Sequence, residues 1–193
     1  MSAPLPLKPA PRYHGRPVSR EEYLDLDDDG FQYTMIQGVL YLAPSHDPEH
    51  GQKQLRFGAL LDAFLREHPA GKAMVEVDAL LPDGGDVVRP DISFVRTERV
   101  GILLKHIHGA PDLVCEVLSD STRHNDLGEK AERYLKSGVR EYWLVDPRER
   151  VVQLWLNRGE AWEQRSAFSG ASGSSLASEL LDGFTIDVDA FFA

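Results

Sequence analysis

Three side chains in the middle of the chain, Asp91, Glu116 and Lys130, are two acids that could hold a cation and an amine that could pair with them. Residues two apart on a β-strand share a face. A strand over 87–95 puts Arg89, Asp91 and Ser93 on one side and Val88, Ile92 and Phe94 on the other. Asp91 is then on the polar side, beside Pro90, and a proline there points to an edge or irregular position. A strand over 112–118 groups Glu116 with Asp112, Val114 and Leu118, opposite Leu113, Cys115 and Val117. An unpaired carboxylate in so apolar a strand costs several kcal/mol or takes up a proton. The expected remedy is a metal ion or a basic side chain. On a wheel of about 100° per residue starting at Leu127, Ala131, Tyr134 and Leu135 form an apolar stripe with Lys130 at its edge and Lys136 facing water. Lys130 can therefore reach the seam between helix and sheet.

Two other patterns fail on their own chemistry. Asp25, Asp27, Asp29 and Gly30 open like a calcium loop, but its twelfth position falls on Ile36, where a bidentate glutamate is needed. An acidic surface turn is expected instead. His46, Glu49 and His50 spell H-x-x-E-H, but Pro48 should mark the helix start and leave His46 outside it. His106-Ile107-His108 reads as a polar loop, and His50 and Asp78 as helix-start and strand-face residues. No G-x-S-x-G, phosphate-binding loop or C-x-x-C occurs.

The elements that must position the three side chains are well marked. Ser19 and Glu22 have capping-box spacing for a short helix. Residues 32–36 and 39–42 flank Gln37-Gly38 as a hairpin. Asp47 caps a helix that starts at Pro48 and carries Phe57, Leu60, Leu61, Phe64 and Leu65 on one face; Gly71 follows its end. Strands are expected at 74–81, 87–95 and 112–118, then a helix over 126–137 closed by Gly138. A hairpin of 141–146 and 151–156 follows, with 162–168 extending it. The Gly/Ser-rich run 169–175 bridges to a closing stretch, 176–193. The order α-β-β-β-α-β, after an N-terminal helix and hairpin, predicts an α/β fold with a mixed sheet flanked by helices. Residues 1–17, with five prolines, read as an extended arm, and 18–193 as a single domain.

Composition narrows the function. In 193 residues there are 21 Lys and Arg against 31 Asp and Glu, a net charge of −10. Binding of polyanions through surplus cations is disfavoured, but a site that handles nucleic acid through a metal is not. The lone Cys115 cannot form an intrachain disulfide. No run approaches a membrane span and the N-terminal prolines do not suit a signal peptide, so a cytoplasmic protein is expected.

Four motifs taken together resemble one family: Arg89-Pro90-Asp91-Ile92; the run from Pro111 through Glu116 to Ser119; Asp126-Leu127-Gly128-Glu129-Lys130; and the run from Glu141 to Pro147. They are similar to the Uma-type family, classed with the restriction endonucleases as a branch of the PD-(D/E)xK nuclease superfamily. The resemblance runs from about Tyr33 to Phe192. It implies a restriction-endonuclease-like core and hydrolysis of phosphodiester bonds by a divalent metal. Carried over, Asp91 and Glu116 would hold Mg²⁺ or Mn²⁺, and Glu49 would match an acid that often completes the site. The superfamily lysine stands two residues after the second acid, where this chain has Leu118; Lys130 fits the displaced position found in Uma-type sequences. Hard-cation chemistry then has the metal polarise the phosphoryl oxygen and help make hydroxide, with Lys130 orienting water or stabilising charge.

Nucleic acid, DNA in preference to RNA, is the implied substrate, without membrane association. A homodimer could form through Trp143, Trp155 and their hairpin, and a partner protein could supply targeting. The alternative is a catalytically silent nuclease fold serving as a binding or assembly module, towards which the negative charge and the lack of a basic stripe weigh.

Overall fold

Side-chain caps start both of the first two helices in the computed structural model, which describes residues 10–43, 47–82, 85–120, 123–171 and 174–193. Helix α1 (Arg20–Leu24) has the full capping box, with Ser19 Oγ accepting from the Glu22 amide and the Glu22 carboxylate accepting from the Ser19 amide. Strands β1 (Tyr33–Ile36) and β2 (Val39–Leu42) pair as the expected antiparallel hairpin. Helix α2 (Pro48–Glu67) begins at its proline, and the Asp47 carboxylate accepts from the His50 amide at 2.8 Å. His46, the outer member of H-x-x-E-H, lies outside the described residues.

Two expected strands are each broken in two. The run 74–81 becomes β3 (Gly71–Val75) and β4 (Ala79–Leu80), parted at Glu76, whose φ is 52°. The run 87–95 becomes β5 (Val87–Val88) and β6 (Ile92–Arg96), parted at Arg89-Pro90-Asp91. Pro90 has no N–H to give a ladder, so the chain leaves one sheet and enters another there. The face alternation drawn through this run fails at that break. Val88 packs with Val95 and Val114, while Ile92 and Phe94 pack on the opposite face of the larger sheet. Gly71 follows the end of α2, which is capped at His68, and opens β3. A Cβ on Gly71 would lie 2.2 Å from the Val95 carbonyl oxygen and 2.7 Å from the Phe94 ring, so only glycine lets β3 approach β6 this closely.

The rest follows in chain order: a 3-10 helix (Thr97–Ile102), β7 (Leu113–Val117), α3 (Arg123–Leu127), α4 (Glu129–Lys136), β8 (Glu141–Asp146), β9 (Val151–Asn157), β10 (Trp162–Phe168), β11 (Ser175–Ala177), β12 (Thr185–Asp187) and α5 (Val188–Phe192). The helix expected over 126–137 is thus two helices. They part at Gly128, where a Cβ would meet the His124 carbonyl oxygen at 2.8 Å. Leu127, expected on the buried stripe, ends the first of them and is 37% exposed.

A six-stranded sheet runs β10-β9-β8-β7-β6-β3, antiparallel except for the β7–β8 pair. The parallel step spans α3 and α4, as such a step needs a crossover. The core is therefore α2-β3-β6-β7-α4-β8, the α-β-β-β-α-β order expected. A smaller sheet, β2-β1-β5-β4, stands beside it. Along β7, Leu113, Cys115 and Val117 face a core built with Phe57 and Leu61 of α2, while Val114 and Leu118 face one built with Ala131 and Tyr134 of α4. The first core is completed from the C-terminal stretch by Leu176, Leu181, Phe184, Ile186, Val188, Phe191 and Phe192.

Glu141 ties that stretch down. Its buried carboxylate accepts from Trp143 Nε1, Ser178 Oγ and the amides of Glu179 and Leu180. Trp143 and Trp155, expected at a dimer surface, are 0% and 7% exposed and belong to the two cores. The described part of the N-terminal arm stays largely exposed, as an extended arm would, but is hydrogen-bonded along β2. The Gly15 amide donates to the Leu40 carbonyl, and His14 Nδ1 accepts from the Leu42 amide. The acidic turn is closed by Asp29, which accepts from the Arg12 and Phe31 amides and from Tyr33 Oη. Among the described residues no helix is long and apolar enough to cross a membrane.

Candidate active site

The β6–β7 register explains how the two acids meet. Ile92 pairs with Cys115, so the next step along the ladder sets Asp91 opposite Glu116. Directly opposed residues of an antiparallel pair project to the same side. The Asp91 amide donates to Glu116 Oε2 at 3.4 Å, and Asp91 Oδ2 accepts from the Val117 amide at 2.7 Å. From α2, His50 Nε2 lies 3.1 Å from the same Asp91 oxygen. From α4, Lys130 Nζ reaches Glu116 Oε1 at 3.1 Å and Asp126 Oδ1 at 2.8 Å, and Tyr134 Oη donates to Glu116 Oε1 at 2.8 Å. Asp91, Glu116 and Lys130 therefore converge. They line a cleft of about 470 Å³, with Gln54, Glu76, Arg89 and Asp126 also on its wall.

Three carboxylates, those of Asp91, Glu116 and Asp126, are at most 5% exposed, and a single ammonium, Lys130, serves two of them. Burial pushes Glu116 up to about 8; the Asp126 and Asp91 charges push the same way, against Lys130 and the Tyr134 hydrogen bond. Burial pulls the Lys130 ammonium down, but Glu116 first, then Asp126 and Asp91, hold it above its usual range. Burial, with the Glu116 charge beside it, also raises the Tyr134 phenol. Three buried carboxylates crowd around one ammonium and one imidazole, a setting in which a divalent cation is favoured.

The donor set fits a hard cation. Asp91 and Glu116 offer oxygens at a solvent-reaching cleft, and Mg²⁺ needs only one or two carboxylates beside water and substrate phosphate. Among the described residues no group of three His, Cys, Asp or Glu side chains forms a ready metal centre, so the pair is what the chain provides.

Glu49, expected to complete the site, is exposed in the first turn of α2 and is not on the cleft wall. His50 takes the inward position. Stepping back from Phe57 at about 100° per residue leaves His50 about 20° from it and Glu49 about 80° away. The buried row His50, Gln54, Phe57, Leu61 follows from that spacing. Extending the apolar stripe back by two turns would have found His50. Asp126 had a signal too, four residues before Lys130 on the same helical run. Gln54 and Glu76, bonded at 2.9 Å, had none, because Glu76 enters the cleft only through the break that ends β3.

Fold and site together define a restriction-endonuclease-like protein. The crystal structure titled a putative nuclease belonging to DUF820, from Anabaena variabilis, superposes with a TM-score of 0.77, covering 91% of this chain and 98% of that one at 19% identity. At that identity the likeness is one of fold. The family is shown by sequence. The family model "Uma2: Putative restriction endonuclease" matches residues 20–189, and the chain belongs to that family. No curated protein matches it.

Proposed function

We propose that the protein is a divalent-metal-dependent endonuclease that hydrolyses phosphodiester bonds, with DNA its substrate. The observation that carries this reading is the meeting of Asp91, Glu116 and Lys130 at one cleft, with burial and the neighbouring carboxylates pushing Glu116 up to about 8. Family membership supports the reaction class, and the words "restriction endonuclease" in the family's description favour DNA over RNA. Asp91 and Glu116 would hold Mg²⁺ or Mn²⁺. When bound, such an ion polarises a phosphoryl oxygen and lowers the pKa of a coordinated water. The rest of the work falls to the chain. Val117 and His50 fix the Asp91 carboxylate from two sides, and Tyr134 fixes that of Glu116. Lys130, held between Glu116 and Asp126, places a positive charge where a phosphate enters and can orient attacking water.

The test is isothermal titration of Mg²⁺ and Mn²⁺ into wild type, Asp91→Ala, Glu116→Ala and Glu49→Ala, alongside cleavage of supercoiled and linear DNA. Heat and cleavage should disappear with either of the first two substitutions and persist with the third. A silent, binding-only fold is the competing reading, favoured by Lys130 already occupying Glu116 Oε1. Equal heats in wild type and the Asp91 and Glu116 variants would decide for it.

A further inference from the structure

The open edge of the larger sheet carries a second cleft, of about 500 Å³, between the C-terminal half of α2 and the loop that follows the 3-10 helix. Its floor is β3. The Thr97 amide donates to the Ala70 carbonyl, and the Glu76 amide to that of Asp91. With Gly71 opposite Arg96 and Val75 opposite Ile92, residues 70, 72, 74 and 76 turn their polar groups to β6. Gly71, Ala73 and Val75 therefore direct alternating N–H and C=O groups away from the sheet. Lys72 and Met74 share the β3 face towards the loop, where Leu104 is 67% exposed.

The charge here runs against the whole. In a chain of net charge −10, the cleft wall carries Arg66, Lys72 and Lys105 with one acid, Asp62, while His106 beside them faces the Asp78 carboxylate at 3.8 Å. Asp62 pairs with Arg66 at 2.7 Å, and neither Lys72 nor Lys105 has an ion-pair partner among the described residues.

We infer that this cleft binds an extended acidic segment of a partner protein, added to β3 as a seventh strand. A peptide backbone supplies both the donors and the acceptors that Gly71 and Ala73 need. A nucleic-acid strand is the less suitable occupant, because phosphates only accept and would leave the outward carbonyls unmet. A second copy pairing through its own β3 would bring Lys72 close to its twin, and facing like charges destabilise a strand pair. An acidic strand with alternating apolar residues satisfies the lysines, Met74 and Leu104 together. The inference is independent of the nuclease reading.

The probe is a fluorescein-labelled peptide of alternating Asp and Val, followed by fluorescence polarisation and by amide exchange of the protein. Controls are a Lys/Val peptide, the Asp/Val peptide N-methylated on alternate amides, and oligothymidylate. Binding should be specific to the unmethylated acidic peptide, and exchange at Gly71, Ala73 and Val75 should slow. Ala73→Pro removes one outward N–H without touching the β6 ladder and should weaken binding roughly tenfold, the equivalent of one lost hydrogen bond. The surface pair Lys72→Glu and Lys105→Glu tests the charge without altering the backbone, and should abolish binding while leaving the melting temperature unchanged. Four results would each overturn the proposal: no binding of the acidic peptide, equal binding of the methylated one, binding of the oligonucleotide alone, or self-association that Ala73→Pro removes.

Discussion

Binding of Mg²⁺ at neutral pH should expel a proton from Glu116. Burial first, and the Asp126 and Asp91 charges next, push this carboxyl up to about 8. At pH 7 about nine in ten molecules then carry the proton, and at pH 9 about one in ten. A cation held by Asp91 and Glu116 requires the carboxylate, so roughly 0.9 proton should leave per ion bound at pH 7 and roughly 0.1 at pH 9. Titration calorimetry in buffers of different ionisation enthalpy reads this number directly as a slope. Glu116→Gln, which removes a ligand together with the proton, should lose the heat and the slope at once. The metal-free fold should show the same linkage. A carboxyl raised in the folded state contributes stability below its unfolded value of 4.5, and that contribution is lost as pH rises towards 8. The linkage slope over that range sets a ceiling of about 5 kcal/mol on the loss, relative to a Gln variant that shows none. Ion binding at pH 7 without proton release, or a release that survives in Glu116→Gln, would refute the reasoning.

Three further substitutions test the frame around the site. Tyr134→Phe deletes a donor to Glu116 Oε1, so it should cost about 1–2 kcal/mol in urea melts and raise Glu116 further, increasing proton release at pH 8 above that of wild type. Gly71→Ala should cost about 2–4 kcal/mol, because the new methyl runs into the Val95 carbonyl and the Phe94 ring; a change under about 0.5 kcal/mol would show that β3 can shift away. Glu141→Gln leaves one acceptor oxygen in place of two, so Trp143 Nε1 and Ser178 Oγ, which donate to Oε2, compete for it with the Oε1 donors, the Glu179 and Leu180 amides. It should cost about 2–4 kcal/mol, with faster amide exchange at those two residues than elsewhere in the sheet.

What could be read from the sequence was whatever depended on local spacing. The Ser19 and Asp47 caps, the hairpins and the alternation along β7 each use signals a few residues apart, and each stands in the structure. Lys130 was reachable because its place on the α4 surface survives even though Leu127, the wheel's origin, ends a separate helix. The breaks were harder. Pro90 signalled irregularity, but not that β5 and β6 would serve different sheets, which depends on pairing partners far along the chain. Glu49 enters through the family resemblance, while His50 reads from sequence as a helix-start residue. The packing of α2 on the sheet, fixed by Phe57 and Leu61, decides instead which residue points inward. The β3 edge left no trace in composition, since its charge is local and opposite to the total.

The C-terminal stretch that completes the first core also sets an order of events during synthesis. Every residue at the cleft has left the ribosome well before Leu176 to Phe192, yet those last residues cover the sheet face beneath α2. Until they dock, the nascent chain shows water a broad greasy surface, the kind that recruits chaperones or sticks to other half-made chains. A stop codon just past β10 would therefore yield insoluble protein rather than a weakened enzyme, although all the residues assigned to chemistry would be present.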